Sequence, residues 1–452
     1  MEAEKGEMRT MSGVVKRLSS SQMIILGFAA AIMAGSLLLM LPFATRDGHG
    51  AAFQDTLFTA ASAVCVTGLV VRDTATYWSG FGQAVILLLI QIGGMGVVTV
   101  AVAIAAASGK KIGIRQRSIM QEAISAHQVG GIVRLTGFII RMTVLFEGLG
   151  AALLAPVFCR EFGFWKGLWY AAFHSVSAFC NAGFDLMGVR GPFSSLTVFS
   201  SHSLVNPVIM ALILIGGIGF TTWDDLRNNG IRFHKYRMQT KVVLVTTALL
   251  LVLPAAYFFF FEFSAAPLSE RVWQSLFQSV TPRTAGFNTA DLTRLSECGL
   301  ALIIMLMLIG GSPGSTAGGM KTTTFAVLLS TAVSVFHRRG DTRFFSRRVP
   351  EETVRCAATL LTMYLTLFLG GGLVISRLEG LPLLTCLFET ASAIGTVGLT
   401  LGITPELGTA SMMILIFLMY TGRAGGLTLA FSAVSGSPGH GARLPQEKLT
   451  VG

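Results

Sequence analysis

The sequence reads Phe388-Glu-Thr-Ala-Ser-Ala-Ile-Gly-Thr-Val-Gly398-Leu399 in the clearest copy of a segment that occurs four times. The other copies lie at residues 58–69, 173–184 and 277–287. Each opens with Phe and closes with Gly followed by Leu or Phe. Phe and Gly lie ten residues apart in three copies and nine apart in the third, and the glycines recur after 115, 103 and 112 residues. This regularity predicts a fourfold internal repeat.

The composition of the chain indicates a membrane protein. Hydrophobic residues make up 52% of the 452 residues, charged residues only 13%, and the mean hydropathy is +0.67. One soluble core could not bury so much apolar surface. Six single cysteines without CxxC pairs indicate neither a zinc site nor a disulfide framework. Apolar runs occupy residues 23–43, 84–107, 205–220, 242–261, 300–309, 357–375 and 411–420.

Three basic clusters lie between apolar blocks, at residues 110–117, 227–241 and 338–348. Basic residues that flank membrane spans concentrate on the cytoplasmic side, so we predict that these linkers and both termini are cytoplasmic. Each block then crosses the membrane an even number of times, which gives four units of two crossings. The net charge of +11 follows from this topology and does not indicate a nucleic-acid partner.

Each repeated segment is too short to span a bilayer, yet it lies between two apolar runs. We therefore expect an all-α integral membrane protein with four repeats of helix, re-entrant pore helix with loop, and helix (M1-P-M2) around a central pore. About eight helices would cross the membrane. Glycine at the end of each loop allows the carbonyl groups to face the axis, where they can replace the hydration shell of a potassium ion.

The expected domain boundaries follow from these units. They are a cytoplasmic segment at 1–21, a first repeat at 22–109, a second with its basic linker at 110–223, a third at 224–336 with an intramembrane loop at 310–319, a fourth at 337–434 and a cytoplasmic tail at 435–452.

Thr396-Val397-Gly398-Leu399 resembles the Thr-Val-Gly-Tyr core of potassium-channel filters. The other three rows are similar to the degenerate filters of the Trk/Ktr/HKT superfamily of cation transporters. This resemblance covers residues 22–434 and, with eight crossings, favours the KtrB branch over the longer TrkH branch. The filter residues that it implies are Val66, Thr67, Gly68, Asn181, Ala182, Gly183, Thr284, Ala285, Gly286, Thr396, Val397 and Gly398.

The resemblance implies potassium uptake across the cell (inner) membrane. Potassium would bind the carbonyl groups of Gly68, Gly183, Gly286 and Gly398. It also implies a homodimer in membrane lipid, with one pore per subunit. A cytoplasmic regulatory ring resembling KtrA is implied as a further partner, and the nucleotide would bind to that partner rather than to this chain. No covalent cofactor is expected, and a role for sodium as an activator stays open.

Glycine clusters recur in the second apolar helix of each repeat. We interpret Gly93-Gly94-Met-Gly96 and Gly216-Gly217-Ile-Gly219 as sites of close helix packing. The third cluster contains too much Gly, and a Pro, to stay helical, so we expect a loop at membrane depth. The resemblance implies a gate there, formed by Gly310, Gly311, Ser312, Pro313, Gly314, Ser315, Thr316, Ala317, Gly318 and Gly319.

Two basic residues accompany this loop. Arg423 interrupts the last apolar run, where burial of a cation costs about 2.5–3.5 kcal/mol. We predict that it forms a positive barrier below the filter and donates hydrogen bonds to loop carbonyls, although an arginine that reaches the cytoplasmic interface is the alternative. Lys321 either supports the end of the loop or marks the inner membrane boundary.

Three further residues lie close to the predicted filter. Arg283 precedes Gly286 by three positions, and a cation aimed into a cation filter would oppose conduction, so we expect it behind the loop. His174 is interpreted as a packed pore-helix residue. Asp185 is interpreted as a charge at the outer mouth that concentrates cations.

Other protein classes fit the sequence less well. Residues 314–322 resemble a nucleotide-binding Walker A loop, but Met320 separates the glycine from the lysine and no strand precedes it. We find no paired catalytic carboxylates and no Ser/His/Asp pattern, so we expect no enzyme. Two alternatives remain, namely an alternating-access carrier, since broken helices also mark those folds, and a sodium-permeable member of the same superfamily.

Overall fold

The structure is a computed structural model that describes residues 19–101, 113–124 and 131–425. Most of the expected segment 1–21, the whole tail 435–452, and the cluster residues Lys110 and Lys111 therefore lie outside the described residues. Two antiparallel two-residue strands, β1 (Arg343–Phe344) and β2 (Arg347–Arg348), form a small hairpin before the fourth repeat.

The described residues are otherwise mainly helical. The first two repeats contain α1 (Ser20–Leu39), α2 (Phe53–Val64), α3 (Gly80–Met95), α4 (Ile114–Ile124), α5 (Ile132–Phe162), α6 (Phe164–Phe179), α7 (Val205–Gly217) and α8 (Phe220–Asn229). The last two contain α9 (Met238–Tyr257), α10 (Leu268–Val280), α11 (Glu297–Leu308), α12 (Thr322–Phe336), α13 (Glu351–Glu379), α14 (Leu383–Gly395) and α15 (Thr409–Ala424).

Side-chain caps fix several helix starts. Ser19 forms a capping box with Gln22 at the start of α1. Ser79 and Ser296 accept hydrogen bonds from the first turns of α3 and α11. These caps satisfy backbone N–H groups that a helix start would otherwise leave without partners.

Length and apolarity distinguish the first helix of each repeat. Among the described helices, α1, α5, α9 with its π-helical extension to Glu262, and α13 are long and apolar enough to span a membrane. The bent pair α7–α8 adds a fifth candidate, whereas α3, α11 and α15 have only 16, 12 and 16 residues. The chain is thus a multi-pass membrane protein, and the eight crossings stay a prediction.

The first two glycine clusters do more than the packing that we expected. Close packing is present, because a Cβ added to Gly93 or Gly216 would lie 2.1 or 2.0 Å from a backbone oxygen of the preceding pore helix. The third glycine of each cluster also stops the helix. Gly96 and Gly219 have φ of +86° and +95°, and the chain turns by 95° between α7 and α8. Our interpretation as packing alone was therefore incomplete.

Candidate ion pathway

The four repeated segments fold in the same way. Each forms a short helix (α2, α6, α10 or α14) followed by a loop with two residues of positive φ. The first of these residues, with φ of +57°, +59°, +78° and +51°, is Val66, Asn181, Thr284 or Thr396. The second, with φ of +94°, +70°, +80° and +94°, is Gly68, Gly183, Gly286 or Gly398. Left-handed backbone at non-glycine positions is strained, so its fourfold recurrence marks a functional geometry.

Hydrogen bonds hold each loop to the helix behind it. The backbone N–H of Thr67 donates to Ser62 O, and that of Val397 donates to Ser392 O, both at 2.8 Å. In the same repeats, Gly68 N and Gly398 N donate to the Ser62 and Ser392 hydroxyls at 3.0 Å. The N–H groups of these loops therefore point toward the pore helices.

The four glycines form a closed ring. A Cβ added to each glycine would clash with a backbone oxygen of the next repeat. These contacts join Gly68 to Ala182 O (2.5 Å), Gly183 to Ala285 O (2.9 Å), Gly286 to Val397 O (2.3 Å) and Gly398 to Thr67 O (2.2 Å). The ring follows the order of the repeats, and no side chain fits between its members.

Four side-chain oxygens of the predicted filter rows are buried without a hydrogen-bond partner in the described part of the chain. They are the hydroxyls of Thr67, Thr284 and Thr396 and the amide oxygen of Asn181. A buried oxygen without a partner costs free energy. Oxygen atoms are also the ligands that hard cations prefer.

An outer cavity of about 240 Å³ lies above the ring. All four ring glycines line it, together with Asp73, Asp185 and Asp291. Burial raises the pKa of Asp185 to about 7, and the nearby charge of Asp73 acts in the same direction. Asp185 thus lies next to the ring, and its role as a charge at the outer mouth stays a prediction.

Residues 310–319 form a loop directly beneath the ring. Its two ends are joined by hydrogen bonds from Gly310 N to Met320 O (2.7 Å) and from Thr322 N to Gly311 O (3.0 Å). A Cβ added to Gly318 would lie 2.1 Å from Thr396 Oγ1, so the loop contacts the innermost part of the fourth row.

The loop also contacts the second repeat. Backbone N–H groups of Ser312 and Thr316 donate to Gly217 O and Gly216 O at 3.0 and 3.2 Å. Asn181 Nδ2 donates to Thr316 Oγ1 at 2.9 Å. One loop thus connects predicted filter rows from two different repeats.

Arg423 joins the loop to the first repeat. Its guanidinium donates to the carbonyls of Thr316, Gly93 and Gly94, the last at 3.1 Å. Lys321 Nζ donates to Ala317 O at 2.8 Å, inside the same loop. Both side chains therefore donate hydrogen bonds to backbone oxygens of the loop, and Arg423 also donates to those of α3.

A family model described as "TrkH: Cation transport protein" matches residues 18–438. The chain belongs to the TrkH family of cation transport proteins. It is 40% identical to the potassium/sodium uptake protein NtpJ of Enterococcus hirae, with 93% of this chain and 94% of that protein covered. It is 39% identical to the Ktr system potassium uptake protein B of Bacillus subtilis, with 92% and 93% covered. The resemblance to this superfamily and its KtrB branch is confirmed, and the family consists of transporters rather than enzymes.

A solved structure shares the fold of this TrkH-family chain. The potassium transporter TrkH from Vibrio parahaemolyticus matches with a TM-score of 0.71 at 20% identity, covering 93% of this chain and 86% of the other. At this identity the comparison concerns the fold alone.

Two buried titratable residues of this TrkH-family chain lie behind the ring. Arg283 is buried and donates to Thr247 Oγ1 of α9 at 3.4 Å, so it points away from the ring as expected. We also considered a carboxylate partner for Arg283, and none contacts it among the described residues. His174 packs in its pore helix, with Nδ1 2.7 Å from Tyr170 O.

Sequence reasoning missed Glu389. This fully buried carboxylate accepts hydrogen bonds from the hydroxyls of Thr400, at 2.9 Å, and Thr404. Thr400 follows Gly398 by two residues. The available signal was a lone Glu in an otherwise uncharged repeated segment, directly after Phe388.

Proposed function

We propose that this chain carries potassium into the cell through one pore formed by its four loops. The carbonyl groups of Gly68, Gly183, Gly286 and Gly398 are the proposed ligands. The closed glycine ring is the observation that carries this proposal, because it brings backbone oxygens from all four repeats together. A ring of carbonyl oxygens can replace the hydration shell of the ion.

Two features on either side of the ring support the cation pathway. Three aspartates line the outer cavity and would raise the local cation concentration. The unpartnered oxygens of Thr284, Thr396 and Asn181 offer further ligands on the inner side. The curated relatives include proteins named for potassium uptake.

We propose that the loop at 310–319 is the gate. It lies against Thr396, and Arg423 and Lys321 hold its carbonyls. A glycine-rich backbone rearranges at low steric cost, so closed and open arrangements of similar free energy are accessible to it.

The proposed assembly is a homodimer in the inner membrane, with both termini cytoplasmic and a regulatory ring on that side. Two relatives are named as components of a Ktr system, which supports the existence of partner subunits. The nucleotide would bind to the regulatory subunits.

Sodium transport is the second candidate. It is favoured by one relative, whose name specifies potassium and sodium together. Sodium would either pass through the same ring or activate potassium uptake. An alternating-access carrier stays the mechanistic alternative.

Uptake of radioactive rubidium by purified protein in liposomes, with sodium and lithium as competitors, tests these proposals. We expect potassium to compete better than sodium, and Gly398→Ser to reduce this preference. The matched control is Gly380→Ser, because Gly380 also has a positive φ of +69° but no atom within 4 Å of an added Cβ. Equal competition by sodium in the wild type would favour the second candidate. Solute counterflow without single-channel currents would favour a carrier.

A further inference from the structure

A groove of about 1050 Å³ opens between the first turns of α5 and the α7–α8 bend. Its lining combines three arginines with apolar and aromatic side chains, and it includes no residue of the ring or the loop beneath it. The groove is therefore separate from the ion pathway.

The arginines surround one aromatic ring. Arg134 and Arg141 are seven residues apart on α5 and share a face with Phe138, which lies between them. The guanidinium of Arg227, from α8, lies over the Phe138 ring at 4.9 Å from its centroid. None of these arginines forms an ion pair with a carboxylate in the described ranges. Three arginines thus line the groove, and none of them is paired with a carboxylate in the described residues.

The remaining walls of the groove are apolar. Met142, Phe146 and Ile215 line the part farther along α5, and the indole of Trp223 is fixed by a hydrogen bond to Ile215 O at 3.0 Å. From Arg134 to Phe146 the helix rises ~18 Å. Since α5 is long and apolar enough to cross the membrane, the groove runs from a basic end toward the membrane interior.

We propose that this groove binds one anionic phospholipid from the cytoplasmic leaflet. The phosphate lies among Arg134, Arg141 and Arg227, and one acyl chain follows the apolar wall toward Phe146. Guanidinium groups match phosphate oxygens in bidentate geometry. Basic pockets between membrane helices on the cytoplasmic side suit anionic headgroups. A soluble anion would leave the apolar wall exposed.

Native mass spectrometry of the delipidated full-length protein, titrated with phosphatidylglycerol or phosphatidylcholine, tests this site. We expect one phosphatidylglycerol to bind at least about tenfold more tightly than phosphatidylcholine. Replacing Arg134, Arg141 and Arg227 together with Gln should weaken phosphatidylglycerol binding about 100-fold, since each basic residue near an anionic headgroup contributes about fivefold.

The control is the triple replacement of Arg338, Arg339 and Arg347 with Gln. It removes the same charge from another basic cluster and should leave this binding unchanged. An equal loss in both triple variants would mean that the lipid is attracted only by overall charge, and would overturn the proposal. Equal binding of the two lipids would overturn it as well.

A steric variant tests occupancy of the groove without changing charge. A Cβ added to Gly137 meets no atom within 4 Å, so Gly137→Leu adds bulk to the groove with free space around its Cβ. We expect it to weaken phosphatidylglycerol binding at least about fivefold. This arm remains informative if the triple arginine variant fails to fold. Glycerol phosphate is the soluble probe, and competition by it as strong as that by the lipid would assign the site to a free anion instead.

Discussion

One residue directly follows the repeated Phe in each of α2, α6, α10 and α14. In the last three of these helices, its side chain contacts the segment that follows the ring glycine. His174 Nε2 accepts from Leu186 N at 3.3 Å, and Gln278 Nε2 donates to Asn288 Oδ1 at 3.2 Å. Glu389 binds Thr400 in the equivalent place. These three contacts anchor the segments that follow the ring glycines, so we infer that this residue orients the ring from behind.

We predict that Glu389→Gln lowers the preference for potassium over sodium by about tenfold. A hydrogen bond contributes about 0.5–1.5 kcal/mol, and the single carbonyl oxygen of Gln replaces the two carboxyl oxygens that bind Thr400 and Thr404. Rubidium uptake with sodium as competitor measures the change. Glu406→Gln is the control, because Glu406 lies exposed in the same outer segment. An unchanged preference in Glu389→Gln would exclude a positioning role.

We predict that cation uptake depends on pH because the pKa of Asp185 is raised. Its pKa is raised to about 7 by burial, so its carboxyl is neutral below pH 7 and ionised above it. Between pH 6 and 8 the gain of negative charge at the outer mouth should lower KM for potassium about twofold. KM measured across this range checks the effect, which should be absent from Asp185→Asn.

The matched control for Asp185 is Asp291→Asn. The hydroxyl of Thr293 holds the pKa of Asp291 below its ordinary value, so Asp291 stays ionised throughout the range. Its removal should raise KM without changing the pH profile. A wild-type KM that is constant from pH 6 to 8 would contradict the role of Asp185.

The ring positions were predictable from sequence, whereas their anchors were not. Gly68 and its counterparts recur at nearly equal spacing, and positive φ at the end of a loop favours Gly. Glu389 binds Thr400 and Thr404, and these two residues lie in a segment without hydrophobic periodicity. Nothing in a linear pattern pairs them with a pore-helix carboxylate.

At the scale of elements, the loop at 310–319 is connected to all three of the other repeats. Its backbone contacts the second repeat at Gly216 and Gly217, and the fourth repeat at Gly422, whose carbonyl accepts from Gly319 N at 3.2 Å. Through Arg423 it reaches the first repeat. A displacement of this loop therefore breaks contacts with three repeats together.

We predict that a deletion within residues 312–318 increases cation flux severalfold and leaves potassium preference intact. The loop lies beneath the ring, so its removal widens the path without changing the ring itself. Rubidium flux and sodium competition measure the two properties separately. A deletion variant that folds normally and has wild-type flux would show that this loop is not the gate.

Arg423→Ala should also increase flux, by about tenfold, because it removes the hydrogen bonds that connect the loop to α3. Arg423→Lys keeps the charge but has no planar fork to bridge Thr316 and Gly93. If flux depends on the hydrogen-bonded bridge, Arg423→Lys should have the same raised flux as Arg423→Ala. If flux depends only on the positive charge, Arg423→Lys should have the flux of the wild type. Lower flux in Arg423→Ala would mean that the arginine supports the open arrangement.

The sequence indicated the break in the third repeat but not those at Gly96 and Gly219. A proline and five glycines between residues 310 and 319 exclude a helix. The pattern Gly-Gly-x-Gly fits both a packed helix and a helix end, and the tight contacts of Gly93 and Gly216 show that packing is also real. Only the dihedral angles distinguish the two.

At the scale of the whole molecule, the four repeats are alike in their loops and unlike in their helices. The first helices contain 20 to 31 residues, whereas α11 has only 12. A helix of 12 residues rises ~18 Å, which is less than the ~30 Å of a hydrocarbon core. Repeat spacing and basic clusters predict eight crossings, but helix length alone does not determine them.

Labelling of single cysteines decides the topology. With the six native cysteines replaced, we predict that His49→Cys and Ser264→Cys react with an impermeant maleimide in intact cells, because both residues are exposed in segments that we predict to lie outside the cell. Asn228→Cys and His337→Cys are exposed beside the basic clusters and should react only after the membrane is permeabilised. Detergent-solubilised protein, in which all four positions should react, is the control. If Asn228→Cys reacted in intact cells, the second and third repeats could not both cross the membrane an even number of times, and the four loops could not enter from one side to close a single ring.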